Sequence, residues 1–336
     1  MNDARKPLRI GILGAARIAP TAIIFPAHAT GHQLVAVGAR DKARAAEFAK
    51  QYQIEKAYGS YQEVIDDPNI DVIYNALHNG GHGPWNIKAL AAGKHVLSEK
   101  PSASNASEAK DVAAAVSKSG KVFMEGFHYY YHPVFQRLLA IIKSGEIGEV
   151  IKVESSLLIP RPDESDLRLQ FDLAGGSMMD VGCYALHSQR MISQLIADGE
   201  PIIVKAEANA ADGKIDTKLY VQLKYPNGVA ALAKGDFESD VMQAPLTVTG
   251  SKGSVHLPNF VVSGWDPRVI VEAGGQKRVE HLPSISTYTY QLLAFADAVD
   301  LGKAVKTDAK DALLQATLID AAYVAAGLPL RPTFKL

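Results

Sequence analysis

The sequence predicts an α/β domain with a doubly wound parallel sheet, followed by an α+β domain with a predominantly antiparallel open sheet. Three observations lead to this prediction. The length of 336 residues suits two domains better than one. In residues 1–127, short apolar runs alternate with helical stretches, which is typical of βαβ units. After residue 127 the runs mix apolar and polar residues and are separated by turn signals such as Pro-Asn-Gly at 226–228.

The first domain, residues 1–127, is expected to alternate strands and helices. The apolar run 8–14 predicts a buried strand, and a helix should follow from about Ala15, past Pro20, to about Ala29. Asp41 can cap the Ala-rich helix 42–52, and Asn105 with Glu108 resembles a capping box for a helix that ends at Ser119. The remaining predicted strands are 33–39, 71–77, 94–98 and 121–125, and the remaining helices are 61–66 and 84–92.

The second domain, residues 128–336, begins with a predicted helix at 133–144. The segment 246–257 is predicted to form a β-hairpin, and the polar stretch 159–172 is long enough for a substrate lid. The other predicted strands are 151–158, 202–208, 218–225 and 229–235, and the closing helices are 288–301 and 308–326. We expect the C-terminal helix to pack back on the first domain.

Composition narrows the class of protein. Hydrophobic residues make up 47% of the chain and the formal net charge is -1, so a packed core is expected and nucleic acid or an anionic membrane is not an expected partner. Cys183 is the only cysteine, which excludes an intrachain disulfide and is consistent with a reducing compartment. No apolar run approaches the roughly 20 residues that span a bilayer, and the N-terminus lacks a secretory segment. We expect a cytoplasmic protein.

The first strand ends in a turn that partly matches the dinucleotide-binding pattern G-x-G-x-x-G/A. Gly14 occupies the first position and Ala19 is an allowed small residue at the sixth. Ala16 departs from the pattern, because glycine at the third position lets the backbone approach the pyrophosphate. Taken alone, the motif leaves two interpretations open, a dinucleotide cradle or an ordinary buried strand that leads into a helix.

The end of the second strand indicates which dinucleotide is bound. An acidic residue there would hold the ribose 2′-hydroxyl of NAD, but the sequence has Ala39, then Arg40, then Asp41. The guanidinium fork of Arg40 suits a 2′-phosphate, so NADP is the preferred cofactor. A surface arginine paired with an acid is the alternative, and Asp41 keeps NAD possible.

The segment GGSMMDVGCYALH (175–187) carries polar side chains at helical spacing. On an α-helix, Asp180, Tyr184 and His187 would share one face. Such a face suits a candidate active site, while a solvated face or a satisfied buried cluster is the alternative. The run HYYYH (128–132) could pair two histidines on a metal, but no third ligand is adjacent, so no metal site is expected.

The stretch LSEKPSA (97–103) strongly resembles the Gfo/Idh/MocA family of oxidoreductases. The glycine turn, the Ala39-Arg40-Asp41 sequence, Asn79 with His82, Glu99-Lys100-Pro101 and the segment 175–187 occur in the order expected for that family. The resemblance covers nearly the whole chain and implies a Rossmann domain, which binds a dinucleotide, followed by a substrate domain. It allows a cis bond between Lys100 and Pro101, which proline makes accessible.

The family resemblance also implies site residues. The D-x-x-x-Y pattern of Asp180 and Tyr184 is similar to the family branch with a tyrosine acid/base, as in glucose–fructose oxidoreductase and dimeric dihydrodiol dehydrogenase. In that branch Lys100 would lie near the nicotinamide and stabilise the Tyr184 phenolate. We expect the cofactor to contact Gly14, Ala15, Ala16, Arg17, Ile18, Ala39, Arg40, Asp41, Leu77, Asn79, His82, Glu99 and Lys100. We expect the substrate to contact Lys100, His128, Arg168, Asp180, Tyr184 and His187.

Together these features predict an NADP-dependent oxidoreductase that moves a hydride between nicotinamide and a carbinol or carbonyl carbon. The expected substrate is a carbohydrate or a diol, either an aldose oxidised at its anomeric carbon or a trans-dihydrodiol. A ketosugar reductase, an enzyme with a tightly held nicotinamide that runs an internal redox cycle, and a non-catalytic NADP(H)-binding protein are the alternatives. The resemblance further implies a homo-oligomer, either a dimer or a tetramer.

Overall fold

A computed structural model of the chain describes residues 6–336. The described residues form two compact units. The first contains residues 6–127, 288–314 and 333–336, and the second contains residues 128–287 and 315–332. The prediction about the extreme N-terminus partly concerns residues 1–5, which lie outside the described residues.

The first unit is built on a parallel sheet of six strands in the order β3-β2-β1-β4-β5-β6. This order, with the first strand near the centre, confirms the predicted doubly wound α/β domain. The short edge strand β3 was not predicted, because its three residues are half-buried and form no apolar run. The strands are β1 (Arg9–Leu13), β2 (Gln33–Gly38), β3 (Lys56–Tyr58), β4 (Val72–Asn75), β5 (His95–Ser98) and β6 (Phe123–Glu125).

The helices of this unit follow local capping signals. They are α1 (Phe25–Thr30), α2 (Lys42–Tyr52), α3 (Tyr61–Asp66), α4 (Asn79–Ala91) and α5 (Ala106–Ser119). The Asp41 carboxylate caps α2 as predicted, accepting from the Ala43 amide at 2.8 Å. Asn105 caps α5 by accepting from the Glu108 amide at 3.0 Å, while Glu108 turns to the Ser104 amide instead of completing the capping box.

Two helix starts differ from the prediction. The first helical segment begins at Pro20 with a π turn, Pro20–Ile24, and continues as α1, whereas a start at about Ala15 was predicted. Residues 15–19 form a turn instead, closed by a 3.1 Å bond from the Ala19 amide to the Ala16 carbonyl. Helix α4 begins at Asn79, five residues before the predicted start at Pro84. Pro84 lies inside the helix and does not mark its first turn.

The core of the first unit is formed by buried apolar residues of the strands and of the helices packed on them. The strand residues Leu13, Val35, Ile73 and Val96 belong to one buried apolar cluster, as expected for a parallel sheet between helical layers. Two alanines near the start of the last helix, Ala309 and Ala312, belong to the same cluster.

The second unit contains an eight-stranded sheet in the order β14-β13-β12-β11-β7-β10-β9-β8. All neighbouring pairs are antiparallel except β7 and β10, so the predicted predominantly antiparallel sheet is confirmed. The hairpin β13–β14 was not predicted, because β14 is exposed and charged along most of its length. The strands are β7 (Val150–Leu158), β8 (Ile202–Asn209), β9 (Lys218–Lys224), β10 (Ala230–Asp236), β11 (Leu246–Gly250), β12 (Gly253–Leu257), β13 (Arg268–Ala273) and β14 (Gln276–His281).

The remaining helices are α6 (Pro133–Ser144), α7 (Cys183–Ala197), α8 (Thr287–Leu301) and α9 (Ala309–Ala325). Helix α7 is preceded by a π turn, Met178–Gly182, within the segment predicted to be α-helical. This turn packs tightly on the sheet, since a Cβ placed on Gly235 would lie 2.7 Å from the Gly182 Cα. Among residues 6–336, no helix is long and apolar enough to cross a membrane.

Candidate active site

The turn after β1 is the first part of the candidate site. Gly14 adopts φ +100°, and its amide donates to the Gly38 carbonyl at 2.9 Å. A Cβ on Gly14 would lie 3.2 Å from the Leu77 side chain, so both the conformation and the space favour glycine here. After Gly14 the chain becomes progressively exposed, with Ala16 half-buried and Arg17 and Ile18 exposed. The turn therefore places solvent-exposed residues at the carboxyl edge of the sheet, next to the first helical segment.

Two arginines lie beyond the end of β2. Arg40 is exposed, and its positive charge acts on the neighbouring Tyr61. Burial raises the pKa of Tyr61, and the positive charges of Arg40 and Arg44 act in the opposite direction. Arg44 donates to the Ala15 carbonyl at 2.8 Å and so ties α2 to the glycine turn.

The carboxylate of Asp41 caps the N-terminus of α2. It accepts from the amides of Ala43 at 2.8 Å and Arg44 at 3.4 Å. A carboxylate that caps its own helix is not directed at a ribose hydroxyl, whereas the guanidinium of Arg40 stands at the same edge. This arrangement fits a dinucleotide with a 2′-phosphate better than one with a free 2′-hydroxyl.

A buried polar network shapes the loops after β4 and β5. The Asn75 amide donates to the His82 carbonyl at 3.1 Å and to the Asn86 side chain at 2.9 Å. Asn86 in turn donates to the Ser98 hydroxyl at 2.9 Å and to the Ser102 carbonyl at 3.1 Å. These side chains are almost fully buried, so they fix the shape of both loops at the sheet edge.

His82 joins the two loops. Its Nδ1 lies 2.7 Å from the Pro101 carbonyl oxygen and its Nε2 lies 2.8 Å from the Leu77 carbonyl oxygen. Burial lowers the pKa of His82 to about 4, although the two backbone contacts act in the opposite direction. The family resemblance predicts a contact between His82 and the cofactor. In the structure its ring nitrogens face backbone carbonyls, so its effect on a cofactor would pass through the loops that it holds.

The Glu99-Lys100-Pro101 turn lies on this network. Its Lys100–Pro101 peptide is cis, as the family resemblance allowed. Glu99 is buried and accepts a 2.7 Å bond from the Tyr74 hydroxyl, while Lys100 is half-buried. Burial raises the pKa of Tyr74, and the neighbouring Glu99 charge adds to this effect. The anchored Glu99 therefore fixes the backbone that carries Lys100.

Tyr184 lies at the start of α7 in the second unit and is paired with a histidine. Its hydroxyl lies 2.8 Å from Nε2 of His128, and the two rings meet edge to face with centroids 5.4 Å apart. Next to this pair, the Tyr129 hydroxyl lies 2.7 Å from Nδ1 of His187. All four side chains are buried. His128, Tyr184 and His187 are predicted site residues, but the hydrogen bond between His128 and Tyr184 was not predicted. Their separation of 56 positions leaves no local signal.

Asp180 lies in the π turn that precedes α7. Its carboxylate is 3.5 Å from Nη1 of Arg168, which also pairs with Asp166 at 3.0 Å. The α-helical spacing that was predicted for Asp180 and Tyr184 does not hold at this point, because a π turn takes up more residues than an α turn. The structure does bring together two predicted substrate residues, Asp180 and Arg168.

A buried ion pair anchors the same π turn. Nη2 of Arg331 lies 2.5 Å from Oδ1 of Asp216, and both side chains are fully excluded from solvent. Oδ2 of Asp216 accepts from the Ser177 hydroxyl and from the Met178 amide, both at 2.7 Å. Arg331 also donates to the Gly175 carbonyl at 2.5 Å. No local sequence signal marks this pair, because its members are 115 positions apart.

Both histidines of the run HYYYH (128–132) form hydrogen bonds within the second unit. His128 pairs with Tyr184, and His132 caps α6 by accepting from the Val134 amide at 3.2 Å. Nε2 of His132 lies 3.0 Å from the Ile285 carbonyl oxygen. In the part of the chain that the structure describes, no group of three histidine, cysteine or acidic side chains could hold a metal ion.

The doubly wound sheet, the glycine turn and the arginines beyond β2 define a dinucleotide-binding protein of the Rossmann class. Comparison with known families makes the assignment specific. Residues 8–127 match the model described as an oxidoreductase family with an NAD-binding Rossmann fold. Residues 135–256 match the model of the GFO/IDH/MocA C-terminal domain. The chain belongs to the Gfo/Idh/MocA family of oxidoreductases, which confirms the resemblance noted in the sequence.

Similar proteins include several named oxidoreductases. The chain is 33% identical over 325 residues to a D-xylose 1-dehydrogenase (NADP(+)) of Haloferax volcanii, covering 95% of this chain and 97% of that protein. It is 32% identical to the trans-1,2-dihydrobenzene-1,2-diol dehydrogenase of Mus musculus, covering 80% and 79%. A 3-ketoreductase of Actinomadura kijaniata, solved with NADP and TDP-benzene, is 26% identical with a TM-score of 0.86 over 96% of this chain and 98% of that one. An aldose-aldose oxidoreductase of Caulobacter crescentus is 27% identical with a TM-score of 0.85 over the same shares of the two chains.

Proposed function

We propose that this protein is an NADP-dependent oxidoreductase acting on a CH–OH group of a carbohydrate or a related diol. The observation that carries the proposal is the similarity, over 95% of the chain, to an NADP-dependent xylose dehydrogenase. The expected substrates are an aldose oxidised at its anomeric carbon and a trans-dihydrodiol. Both are consistent with the names of the relatives in the sequence comparison.

The preference for NADP over NAD rests on the edge beyond β2. Arg40 is accessible there and Arg44 lies against the glycine turn, while Asp41 is engaged in capping α2. We propose that the two guanidinium groups hold the 2′-phosphate and that the turn holds the pyrophosphate. The other proposed cofactor contacts come from Ala39 and from the loops after β4 and β5; these are Leu77, Asn79, Glu99 and Lys100.

In the proposed mechanism, Tyr184 exchanges a proton with the substrate oxygen. During oxidation its phenolate takes the hydroxyl proton, and during reduction its phenol returns that proton. The family resemblance assigns to the Lys100 ammonium the role of stabilising the phenolate, which is otherwise too basic to form at neutral pH. Asp180 orients the substrate hydroxyl. When bound, the nicotinamide supplies the hydride acceptor or donor, and the protein supplies position and charge.

Three further residues are proposed to shape the substrate site. Arg168 is only partly exposed and lies next to Asp180, so a sugar hydroxyl could bridge the two side chains. His187 and His128 are buried beside their tyrosine partners, and we propose that they limit the space available to the substrate.

The test is the absorbance of reduced nicotinamide after incubation with NADP or NAD and a panel of aldoses, inositols, anhydrosugars and trans-dihydrodiols. An increase with NADP and one substrate class is expected. Tyr184→Phe should abolish turnover and keep NADP binding. The matched control is Tyr225→Phe, which also removes a buried hydroxyl bonded to α7, here at Gln189, and should keep turnover. Equal activity of wild type and Tyr184→Phe would refute the proposed acid/base.

A second candidate function is a redox cycle with a retained nicotinamide. The structural similarity to an aldose-aldose oxidoreductase favours it, since the TM-score is 0.85 over 96% of the chain. Nicotinamide that remains bound through purification, with transfer between two sugars and no net reduction of added NADP, would support this function. A ketosugar reductase would show activity only in the reverse assay with NADPH. Binding of NADP without turnover in either direction would favour a non-catalytic binding protein.

We also propose that the chain forms a dimer or tetramer in the cytoplasm, through the second of two functional domains, 1–127 and 128–336. Support for assembly comes from edge strand β8, where the apolar side chains of Ile202 and Val204 are 65% and 62% exposed. Light scattering should give a multiple of 36.0 kDa. Val204→Asp should then shift the particle towards the monomer.

A further inference from the structure

We propose that His128 is the positioning residue for Tyr184, and that it donates a hydrogen bond from Nε2 that stabilises the phenolate. The inference rests on the proposed function, since a stabilised phenolate matters only if Tyr184 exchanges a proton with a substrate. It gives His128 a role through Tyr184 in addition to any contact with substrate.

The geometry of the pair supports a direct hydrogen bond. The Tyr184 oxygen and the His128 Nε2 are 2.8 Å apart, and the rings meet edge to face at 64°. His128 is 0% exposed and Tyr184 is 4% exposed. In so buried a pair the imidazole is not replaced by bulk water, so its loss would leave the tyrosine oxygen with one partner fewer.

The imidazole matches the chemistry that a tyrosine base requires. A neutral ring with its proton on Nε2 donates to the Tyr184 oxygen whether that oxygen belongs to a phenol or to a phenolate. The bond to the phenolate is the stronger of the two, because a charged acceptor strengthens a hydrogen bond. When the phenolate takes a proton from a substrate hydroxyl, one O–H bond breaks and another forms, and Nε2 keeps its own proton. His128 therefore favours the basic form without itself being consumed.

Two titratable side chains close to the Tyr184–His128 pair are hydrogen-bonded or ion-paired to other residues. Tyr129, next in sequence to His128, binds His187 of α7 at 2.7 Å. Asp180, in the π turn before α7, faces Arg168. Helix α6 contributes an aromatic ring at this point, since Phe135 packs edge to face on Tyr129. Lys100 of the first unit is the further charge in the proposed mechanism. His128 is thus the imidazole that the second unit places on Tyr184.

The neighbouring pair of Tyr129 and His187 provides a matched control. It is a second buried tyrosine–histidine hydrogen bond of nearly the same length. Tyr129→Phe removes that bond and leaves the Tyr184 oxygen and its imidazole in place. A role of His128 limited to packing predicts that the two deletions have similar consequences. The proposed role predicts a difference confined to the ionisation of Tyr184.

The experiment compares His128→Leu, His128→Gln, Tyr129→Phe and Tyr184→Phe with the wild type. The first measurement is the pH dependence of kcat/KM for oxidation with NADP, using D-xylose or whichever panel member is most active. In His128→Leu the rise of activity with pH should move upward by about one pH unit, a size typical of a lost hydrogen bond to a charged group. His128→Gln retains an N–H donor and should restore most of the shift. Tyr129→Phe should keep the wild-type position of the rise.

The second measurement needs no substrate. The ultraviolet absorbance of phenolate is titrated in the wild type and in His128→Leu, with the corresponding Tyr184→Phe proteins subtracted. The Tyr184 contribution should appear at higher pH in His128→Leu. If the leucine variant does not fold, His128→Asn, whose amide is too short to reach Tyr184, takes its place with the same expectation. NADP affinity, followed by fluorescence, should be unchanged in all of these variants.

The outcomes separate this inference from the proposed function. If Tyr184→Phe abolishes turnover but His128→Leu titrates and reacts like the wild type, the role of His128 is refuted and the proposed function stands. If Tyr184→Phe retains turnover, the proposed acid/base is refuted, and the phenolate titration still decides whether His128 stabilises the phenolate. An equal shift in Tyr129→Phe would reduce the role of His128 to packing.

Discussion

The guanidinium of Arg331 and the carboxylate of Asp216 form a fully buried ion pair that holds the start of the π turn before α7. Nη2 and Oδ1 are 2.5 Å apart, and both side chains are fully buried. The carboxylate also accepts a hydrogen bond from the Met178 amide. The pair therefore links the C-terminal segment of the chain to the helix that carries Tyr184. Gly176 at this turn adopts φ +125°, and a Cβ there would lie 2.2 Å from the Asp216 carboxylate. A side chain at position 176 would therefore collide with the ion pair.

Removing one partner of this pair should be strongly destabilising. Arg331→Met leaves the buried carboxylate of Asp216 without its counter-ion, and we expect a loss of about 3–5 kcal/mol in the free energy of unfolding. Urea denaturation checks this value. Arg161→Met removes an arginine whose partner, Glu164, is 80% exposed, and it should cost less than about 1 kcal/mol. Equal effects of the two substitutions would contradict the role of the buried pair.

His82 should make the stability of the first unit depend on pH. Its pKa is about 4 in the folded protein, and that of an unfolded histidine is about 6.5. Between these values the unfolded chain binds a proton that the folded chain does not, so stability falls as the pH decreases. From pH 7.5 to pH 5 this histidine alone should remove about 2 kcal/mol. Above pH 7 the ring is neutral in both states and contributes no pH dependence.

The corresponding measurement is the free energy of unfolding at both pH values for the wild type and His82→Asn. The variant should be less stable at pH 7.5, because the contacts to Pro101 and Leu77 are lost, but it should lose about 2 kcal/mol less on acidification. His28→Gln, which replaces an exposed histidine, should keep the wild-type pH response. A parallel pH response of wild type and His82→Asn would show that the ring titrates alike in the folded and unfolded protein, which would contradict the lowered pKa.

Helices whose ends are marked by a capping residue or a proline could be predicted from the sequence. Helices α2, α3, α5 and α6 have the predicted bounds, and each begins with a side-chain cap or a proline at its first turn. The π turn before α7 was predicted as α-helix, because its form depends on the close approach of Gly182 and Gly235. Strands β3 and β14 have no buried apolar alternation, so no periodicity indicates them.

The candidate site likewise contains residues that the sequence predicts and residues that it does not. Motif residues such as Gly14, Arg40 and Lys100 could be identified from the sequence, because strand ends and family motifs mark them. Their supporting partners could not, since contacts such as Arg44 with the Ala15 carbonyl arise only when distant segments meet. The family resemblance supplied the role of Tyr184, but the partner on its hydroxyl is a tertiary feature of this chain.

Arg40 should determine the preference between the two dinucleotides. Arg40→Gln removes the positive charge beyond β2 and should weaken NADP binding about tenfold or more, since a hydrogen bond to a charged group contributes about 1.5–3 kcal/mol. NAD lacks the 2′-phosphate, so its affinity should change little. Fluorescence titration with both dinucleotides measures the two effects. Lys42→Gln, which removes a neighbouring exposed charge at the start of α2, should preserve the preference. A uniform loss of affinity for NADP and NAD in Arg40→Gln would contradict recognition of the 2′-phosphate.

Asp180 should act on the substrate and not on the cofactor. Its carboxylate is 19% exposed, so solvent reaches it, and it lies 3.5 Å from Nη1 of Arg168. In the proposed mechanism it orients the hydroxyl that Tyr184 deprotonates, and misplacing a reacting group typically costs about 100-fold in rate. Asp180→Asn should therefore reduce kcat/KM by roughly 10- to 100-fold and leave the Kd for NADP unchanged. Asp166→Asn alters the closer partner of Arg168, at 3.0 Å, and serves as the matched control. If both substitutions reduce kcat/KM equally, Asp180 acts only by holding Arg168; a selective effect of Asp180→Asn indicates that its carboxylate itself contacts the substrate.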